Sequence, residues 1–165
     1  MTDHMTDHAD LRRILAGTKS IAMVGLSLNP VRPSAYVAAY LAGHGFEIWA
    51  VNPAHAGKRA FGRKIYPDIK SLAAEVEAID MVDIFRRSEA VGAIVDAALE
   101  HLRPRGLGTV WMQIGIRDDT AAARARAAGV DVVMDRCTKI EHQRLTGTLR
   151  MAGFATGIIS SRRPG

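Results

Sequence analysis

Residues 20–51, SIAMVGLSLNPVRPSAYVAAYLAGHGFEIWAV, decide the fold. Ser20–Gly25 is a short, continuously apolar run, the composition of a strand covered on both faces. Ser34–His44 spaces Tyr36 or Val37, Tyr40 and Leu41 at helical intervals, and Phe46–Val51 is a second apolar run. A strand, a helix and a strand in that order form a unit whose two strands lie parallel across a right-handed crossover.

The alternation continues toward the C-terminus. A short helix near Ile69–Glu77 leads to a strand at Met81–Phe85, and Ser88–Leu102 is a long amphipathic helix with Val91, Ile94, Val95, Ala98 and Leu102 on one stripe. Leu107–Gln113 reads as a strand, Asp118–Ala128 as a helix, Val130–Met134 as a strand and Thr138–Leu145 as a last helix. Asn52–Pro67 is irregular and basic, and Asp7–Gly17 suits a short helix burying Leu11, Ile14 and Leu15. The sum is an α/β chain: a Rossmann-like, doubly wound sheet of five parallel strands flanked by helices, expected in the order 3-2-1-4-5. Residues 1–10 read as a flexible N-terminus, 11–145 as the domain, and 146–165 as a basic, loosely structured tail in which Gly and Arg interrupt weak apolar patches. The start repeats itself, Met1-Thr2-Asp3-His4 then Met5-Thr6-Asp7-His8. Two copies this short fit an alternative start or a local duplication better than a histidine metal site, and no metal is expected.

Composition narrows the function classes. A chain of 165 residues, 48% hydrophobic, is long enough for one domain with its own core. Its net charge of +5 invites a nucleic-acid reading. The distribution argues against it: residues 1–138 carry 17 basic and 16 acidic side chains, and most of the excess falls on Lys139, Arg144, Arg150, Arg162 and Arg163. Aromatics are 5% and are not interleaved with Lys or Arg, so stacking on single strands is not expected. The single cysteine, Cys137, forms no intramolecular disulfide and fits a reducing cytoplasm. No apolar run approaches the ~20 residues of a membrane span, and the start lacks the pattern of a secretory signal. The expectation is a cytoplasmic protein with no membrane partner; composition leaves its oligomeric state open.

On a doubly wound sheet, ligands sit beyond the carboxyl ends of the strands, so the residues just after each strand carry the functional reading. After the first come Gly25, Ser27, Arg32 and Ser34: a glycine allowing close approach to the backbone, a cation suited to phosphate, and a serine placed to cap the next helix. This is not the G-x-G-x-x-G fingerprint, because Ser27 and Pro30 stand where the later glycines would be. After the second come Asn52 and Pro53, with no acid to bond a free ribose diol; His55, Lys58 and Arg59 follow, a loop better matched to a phosphorylated ribose. Phe85 and Arg86 follow the third strand and Gln113 the fourth, offering an apolar surface, a cation and an amide. Trp111 reads as core. Cys137, at a helix start beside Arg136, is placed for a lowered pKa and for a mixed disulfide with a ligand thiol. Each residue also has a plainer reading, as an ordinary turn, a solvated cation or a strand-end core residue.

Together these pieces resemble a known family. Gly25-Leu26-Ser27 with Arg32-Pro33-Ser34, Val51-Asn52-Pro53, Val82-Asp83-Ile84-Phe85-Arg86, Trp111-Met112-Gln113-Ile114-Gly115-Ile116 and Asp135-Arg136-Cys137 are similar to the small stand-alone bacterial CoA-binding proteins, relatives of the CoA-binding domain of the succinyl-CoA synthetase α subunit. The resemblance runs from about Leu11 to Leu145 and implies a Rossmann-like fold that binds coenzyme A or an acyl-CoA. It implies that Gly25, Ser27 and Arg32 line the diphosphate, that Asn52, Pro53 and the loop with Lys58 face the adenosine end, and that Phe85, Arg86 and Gln113 flank the ligand. No catalytic residue comes with it, because the related ligase carries its phosphorylated histidine in a second domain. The alternatives are an NADP-dependent oxidoreductase, disfavoured by the missing glycines, and a nucleotide-binding regulatory module.

Overall fold

The computed structural model describes residues 7–155, with side chains through Gly147. The first six residues, with most of the repeated start, and the tail from 156 onward lie outside the described residues. Helix α1 (His8–Gly17) begins at an Asp7 N-cap, whose carboxylate accepts the Ala9 N–H at 2.7 Å. Regular structure therefore starts inside the segment read as a flexible N-terminus.

The main sheet is built from β1 (Ser20–Val24), β2 (Glu47–Val51), β5 (Met81–Ile84), β6 (Thr109–Met112) and β7 (Asp131–Val133), all parallel. A two-stranded antiparallel hairpin, β3 (Arg59–Ala60) and β4 (Arg63–Lys64), projects from the irregular loop. Five apolar strand runs therefore became five parallel strands, as their lack of alternation requires.

The order differs from the expected one. It is β2-β1-β5-β6-β7, so the third strand of the main sheet pairs with β1 rather than lying outside β2. This is 2-1-3-4-5, the other common doubly wound order. The reason is visible at the outer edge of β2. The Tyr66 N–H donates to the Ala50 carbonyl and the Asn52 N–H to the Tyr66 carbonyl, both at 2.9 Å, so returning loop backbone takes the position a further strand would need. The chain then crosses over and lays β5 on the other side of β1.

Helices cover both faces. On one, α3 (Ile69–Ala73), α4 (Ser88–His101) and α5 (Asp119–Ala127) bury Ala22, Val24, Val82, Ile84, Val110 and Met112. On the other, α1, α2 (Pro33–Gly43) and α6 (Thr138–Ala155) bury Ile21, Met23, Ile48, Met81 and Trp111. Full burial of one such side chain stabilises by roughly 1.5–3 kcal/mol. Helix α6 continues ten residues past Leu145, where the sequence reading ends it. Gly147 costs such a helix only about 1 kcal/mol relative to alanine, and α6 packs against both α1 and α2. Among the described residues no helix is long and apolar enough to cross a membrane.

Candidate functional site

The order β2-β1-β5 puts the switch point, where successive crossovers leave in opposite directions, between the carboxyl ends of β1 and β5. Gly25 ends β1 with φ +94°, a left-handed conformation open to glycine. A Cβ here would lie 2.9 Å from Cδ of Arg86 and 3.0 Å from the Phe85 carbonyl oxygen. The two strand ends meet only because this position has no side chain.

Two clefts open at this point. One, of about 440 Å³, is lined by Gly25, Phe85, Arg86, Arg87, Glu89 and Ala90. The other, of about 330 Å³, runs along α4 as a mainly apolar groove between Pro53, Pro67 and Ile69 on one wall and Ala90, Ile94 and Ala97 on the other. Alanines on α4 keep the second groove open. Arg86, exposed, stands at both. A guanidinium beside an apolar slot is a combination that accepts a flat apolar ring carrying phosphate.

The loop after β1 is braced more than the sequence indicates. Pro33 takes the first helical position, where its fixed φ fits, so Arg32 rather than Ser34 is the N-cap of α2. Ser34 lies one residue inside and buried, and its hydroxyl accepts the Ser27 N–H at 2.9 Å. Asn29 N–H donates to the Ser27 hydroxyl, Val31 N–H to the Asn29 side chain and Arg32 N–H to the Asn29 carbonyl. Four backbone amides of this loop are thus used to hold its own shape. Arg32 itself is exposed.

Asn52 is a clasp between two loops. Its amide donates to the Leu26 carbonyl at 2.8 Å while its oxygen accepts the Ala54 N–H at 3.0 Å. Buried and used at both ends, it shapes the site, and its neighbour Pro53 reaches the groove. The basic loop divides in the same way. Arg63 lies 4.6 Å over Trp49, and Lys64 pairs with Glu75 at 3.0 Å beside Tyr66, so both cations hold the hairpin on the edge of β2. Lys58 is exposed at the hairpin's base and lines neither of these two clefts.

On the opposite face of the strand ends, Gln113 is 5% exposed and built into a ring. Its Nε2 donates to Asp83 Oδ1 at 2.7 Å and to Thr138 Oγ1 at 3.0 Å, and Thr138 donates to Asp83 Oδ2 at 2.9 Å. Asp83 is completely buried, and desolvation raises its pKa to about 7 against the pull of these two hydrogen bonds. Asp83 and Thr138 were not singled out from sequence. The usable signal was an acid inside the otherwise apolar strand Met81-Val82-Asp83-Ile84. Cys137 lies at the same helix start, but burial, helped by Asp83, pushes its thiol up rather than down. That direction favours the plainer reading of Cys137, a partly buried residue of the turn, over an activated thiolate, because an apolar surrounding outweighs the helix terminus. Trp111 is core, its indole N–H donating to the Arg136 carbonyl at 2.7 Å.

Comparison with known proteins adds identity to this geometry. The family described as CoA binding domain matches residues 19–143. A Bacillus subtilis (strain 168) protein, the uncharacterized YneT, is 34% identical over 134 residues, covering 81% of this chain and 93% of the relative. A solved Thermus thermophilus protein is 34% identical with TM-score 0.76, over 85% of this chain and 99% of that one. A hypothetical protein from Pyrococcus horikoshii OT3 is 32% identical with TM-score 0.77, over 89% and 98%.

Proposed function

The chain belongs to the CoA binding domain family, and from that premise we propose that it binds coenzyme A or an acyl-CoA across the carboxyl ends of β1, β2, β5 and β6. The observation that carries this reading is the junction of Gly25 with Phe85 and Arg86 at the switch point, flanked by one polar and one apolar cleft. Coenzyme A needs both: cations for its phosphates and an apolar slot for its base. In this reading Arg86 and Arg32 meet phosphate, and Pro53 lines the base slot. Lys58 approaches the phosphorylated ribose, and Phe85 and Gln113 flank the arm. Gly25 keeps the backbone accessible, while Ser27, Ser34 and Asn52 hold the loops in place. The proposed role is binding, with no residue assigned to catalysis and no metal.

Denaturing purified protein and weighing the released small molecule by mass spectrometry tests the reading directly, with coenzyme A or an acyl-CoA as the expected mass. A thermal-shift panel of CoA, acetyl-CoA, NAD and NADP is its companion, since a ligand stabilises with the logarithm of its excess over Kd. Stabilisation by CoA is expected. Stabilisation by NADP with none by CoA would replace this reading with the nicotinamide one.

A further inference from the structure

The clefts at Gly25 form a three-way junction. The apolar groove and the polar cleft share Gly25, Arg86 and Ala90, and the loop carrying Arg32, which lines neither cleft, leaves from Gly25 itself. Coenzyme A is branched at one point. Its ribose carries the base at C1′, a phosphate at C3′ and the diphosphate at C5′, with a free hydroxyl at C2′. With the base in the groove, the diphosphate must lead onward to the pantetheine arm, which the reading above places by Gln113 on the opposite face. That path runs past Arg32 and leaves the polar cleft, on the α4 side, to the remaining charged branch.

The side chains of that cleft suit such a branch. Arg86, Arg87 and Glu89 line it and are exposed, yet no ion pair joins the acid to either cation. Elsewhere among the described residues Arg13, Arg63, Arg117, Arg124 and Arg136 each pair with an acid. Arg87 holds the N-cap position of α4, but its side chain makes no capping bond. Its guanidinium is committed to no partner. A guanidinium binds phosphate through parallel N–H donors, whereas a carboxylate repels phosphate and accepts from a hydroxyl. A cation and an acid on one cleft, unpaired with each other, match a sugar edge that bears a phosphate beside a hydroxyl.

Resting on the reading that CoA binds at Gly25, we propose that the polar cleft is the subsite for the phosphorylated ribose edge, with Arg87 beside Arg86 binding the 3′-phosphate and Glu89 accepting the 2′-hydroxyl. Arg87 then distinguishes CoA from ligands that lack this phosphate. Glu89 rejects a phosphate at C2′, the edge that NADP presents.

Calorimetry with CoA and with dephospho-CoA, which lacks only the 3′-phosphate, reads the subsite as a ratio of affinities. The Arg87 side chain is exposed and bonds to nothing, so Arg87→Ala keeps the fold. Wild type is expected to bind CoA about tenfold more tightly than dephospho-CoA, the size of a charge-assisted contact in an open cleft. Arg87→Ala should bring that ratio within about threefold while leaving dephospho-CoA affinity nearly unchanged. Lys58 lines neither cleft, so Lys58→Ala should lower the ratio less than Arg87→Ala does. Competition against CoA by adenosine 3′,5′-bisphosphate and adenosine 2′,5′-bisphosphate reads the acid. Wild type should prefer the 3′,5′ isomer by about tenfold, and Glu89→Gln should narrow that gap by tightening the 2′,5′ isomer.

Equal wild-type affinity for CoA and dephospho-CoA overturns the subsite while leaving CoA binding intact. So does an Arg87→Ala variant that weakens both ligands by the same factor, or a larger fall in the ratio from Lys58→Ala. An isomer preference unchanged in Glu89→Gln overturns the role of the acid. Failure of wild type to bind either CoA or dephospho-CoA overturns the ligand reading itself.

Discussion

The two sides of the strand ends solve opposite problems. On the α4 side small side chains and proline walls leave the ends of β1 and β5 uncovered, and the charged groups there, Arg86, Arg87 and Glu89, are exposed and can remain in water. On the α6 side the ends are covered, and the polar groups must satisfy one another, as Asp83, Gln113 and Thr138 do. The open side can exchange its water for a ligand at little cost to the fold. The closed side fixes orientation instead, because a buried donor left unpaired costs about 1–3 kcal/mol.

The sharpest way to break this contrast is to fill the junction. In Gly25→Val the side chain meets the Phe85 backbone and Arg86 while its own φ stays positive. CoA affinity is expected to fall more than a hundredfold by calorimetry, with a melting temperature lower by about 2–8 °C, since forcing such a conformation costs roughly 1–2 kcal/mol before any clash. An unchanged affinity would show that ligand does not use the open side.

Next in size is the acid on the closed side. The pKa of Asp83 is higher in the folded protein than in the unfolded chain, so the native state holds the extra proton between about pH 4 and pH 7. Its stabilising contribution is full at the lower pH and is lost as pH rises through about 7. Urea unfolding of wild type and Asp83→Asn from pH 5 to 8 should therefore show the variant gaining on wild type by about 2–4 kcal/mol with rising pH. A constant difference would mean that Asp83 is ionised throughout that range.

The cations should scale with their distance from the clefts. Arg86→Ala removes a charge-assisted phosphate contact worth about 1.5–3 kcal/mol, a loss of one to two decades in CoA affinity measured by calorimetry. Arg32→Ala, measured the same way, should fall in the same range if its exposed guanidinium folds onto the diphosphate. Lys58→Ala is expected to cost only about two- to threefold, and that loss should disappear in raised salt, as for an exposed charge. A larger effect from Lys58 than from Arg86 would move the ligand toward the hairpin.

Much of this was legible in the chain, and what was not shares a cause. The five apolar runs, the stripe on Ser88–Leu102 and the helix read at Asp118–Ala128 depend on neighbours a few residues apart, and these elements formed within a few residues of where the pattern places them. The extension of α6 rests instead on contacts with α1 and α2. The cap expected at Ser34 lies two positions earlier, at Arg32, because a proline ahead of the serine takes the helix start. Asp83 stood in plain view within an apolar strand, yet its meaning depends on Gln113 and Thr138, 30 and 55 residues away.

By itself the sequence determined that strands and helices alternate, that the strands are buried on both faces and hence parallel, and that the candidate residues fall at carboxyl ends. Spacing alone carries that information, since periodicity decides which side of an element meets water. Strand order, the side on which the clefts open and the direction in which Gln113 faces were decided only in the tertiary structure. Each depends on which distant backbone reaches a free edge or a buried donor first, and satisfying those groups is a property of the assembled molecule rather than of any stretch within it.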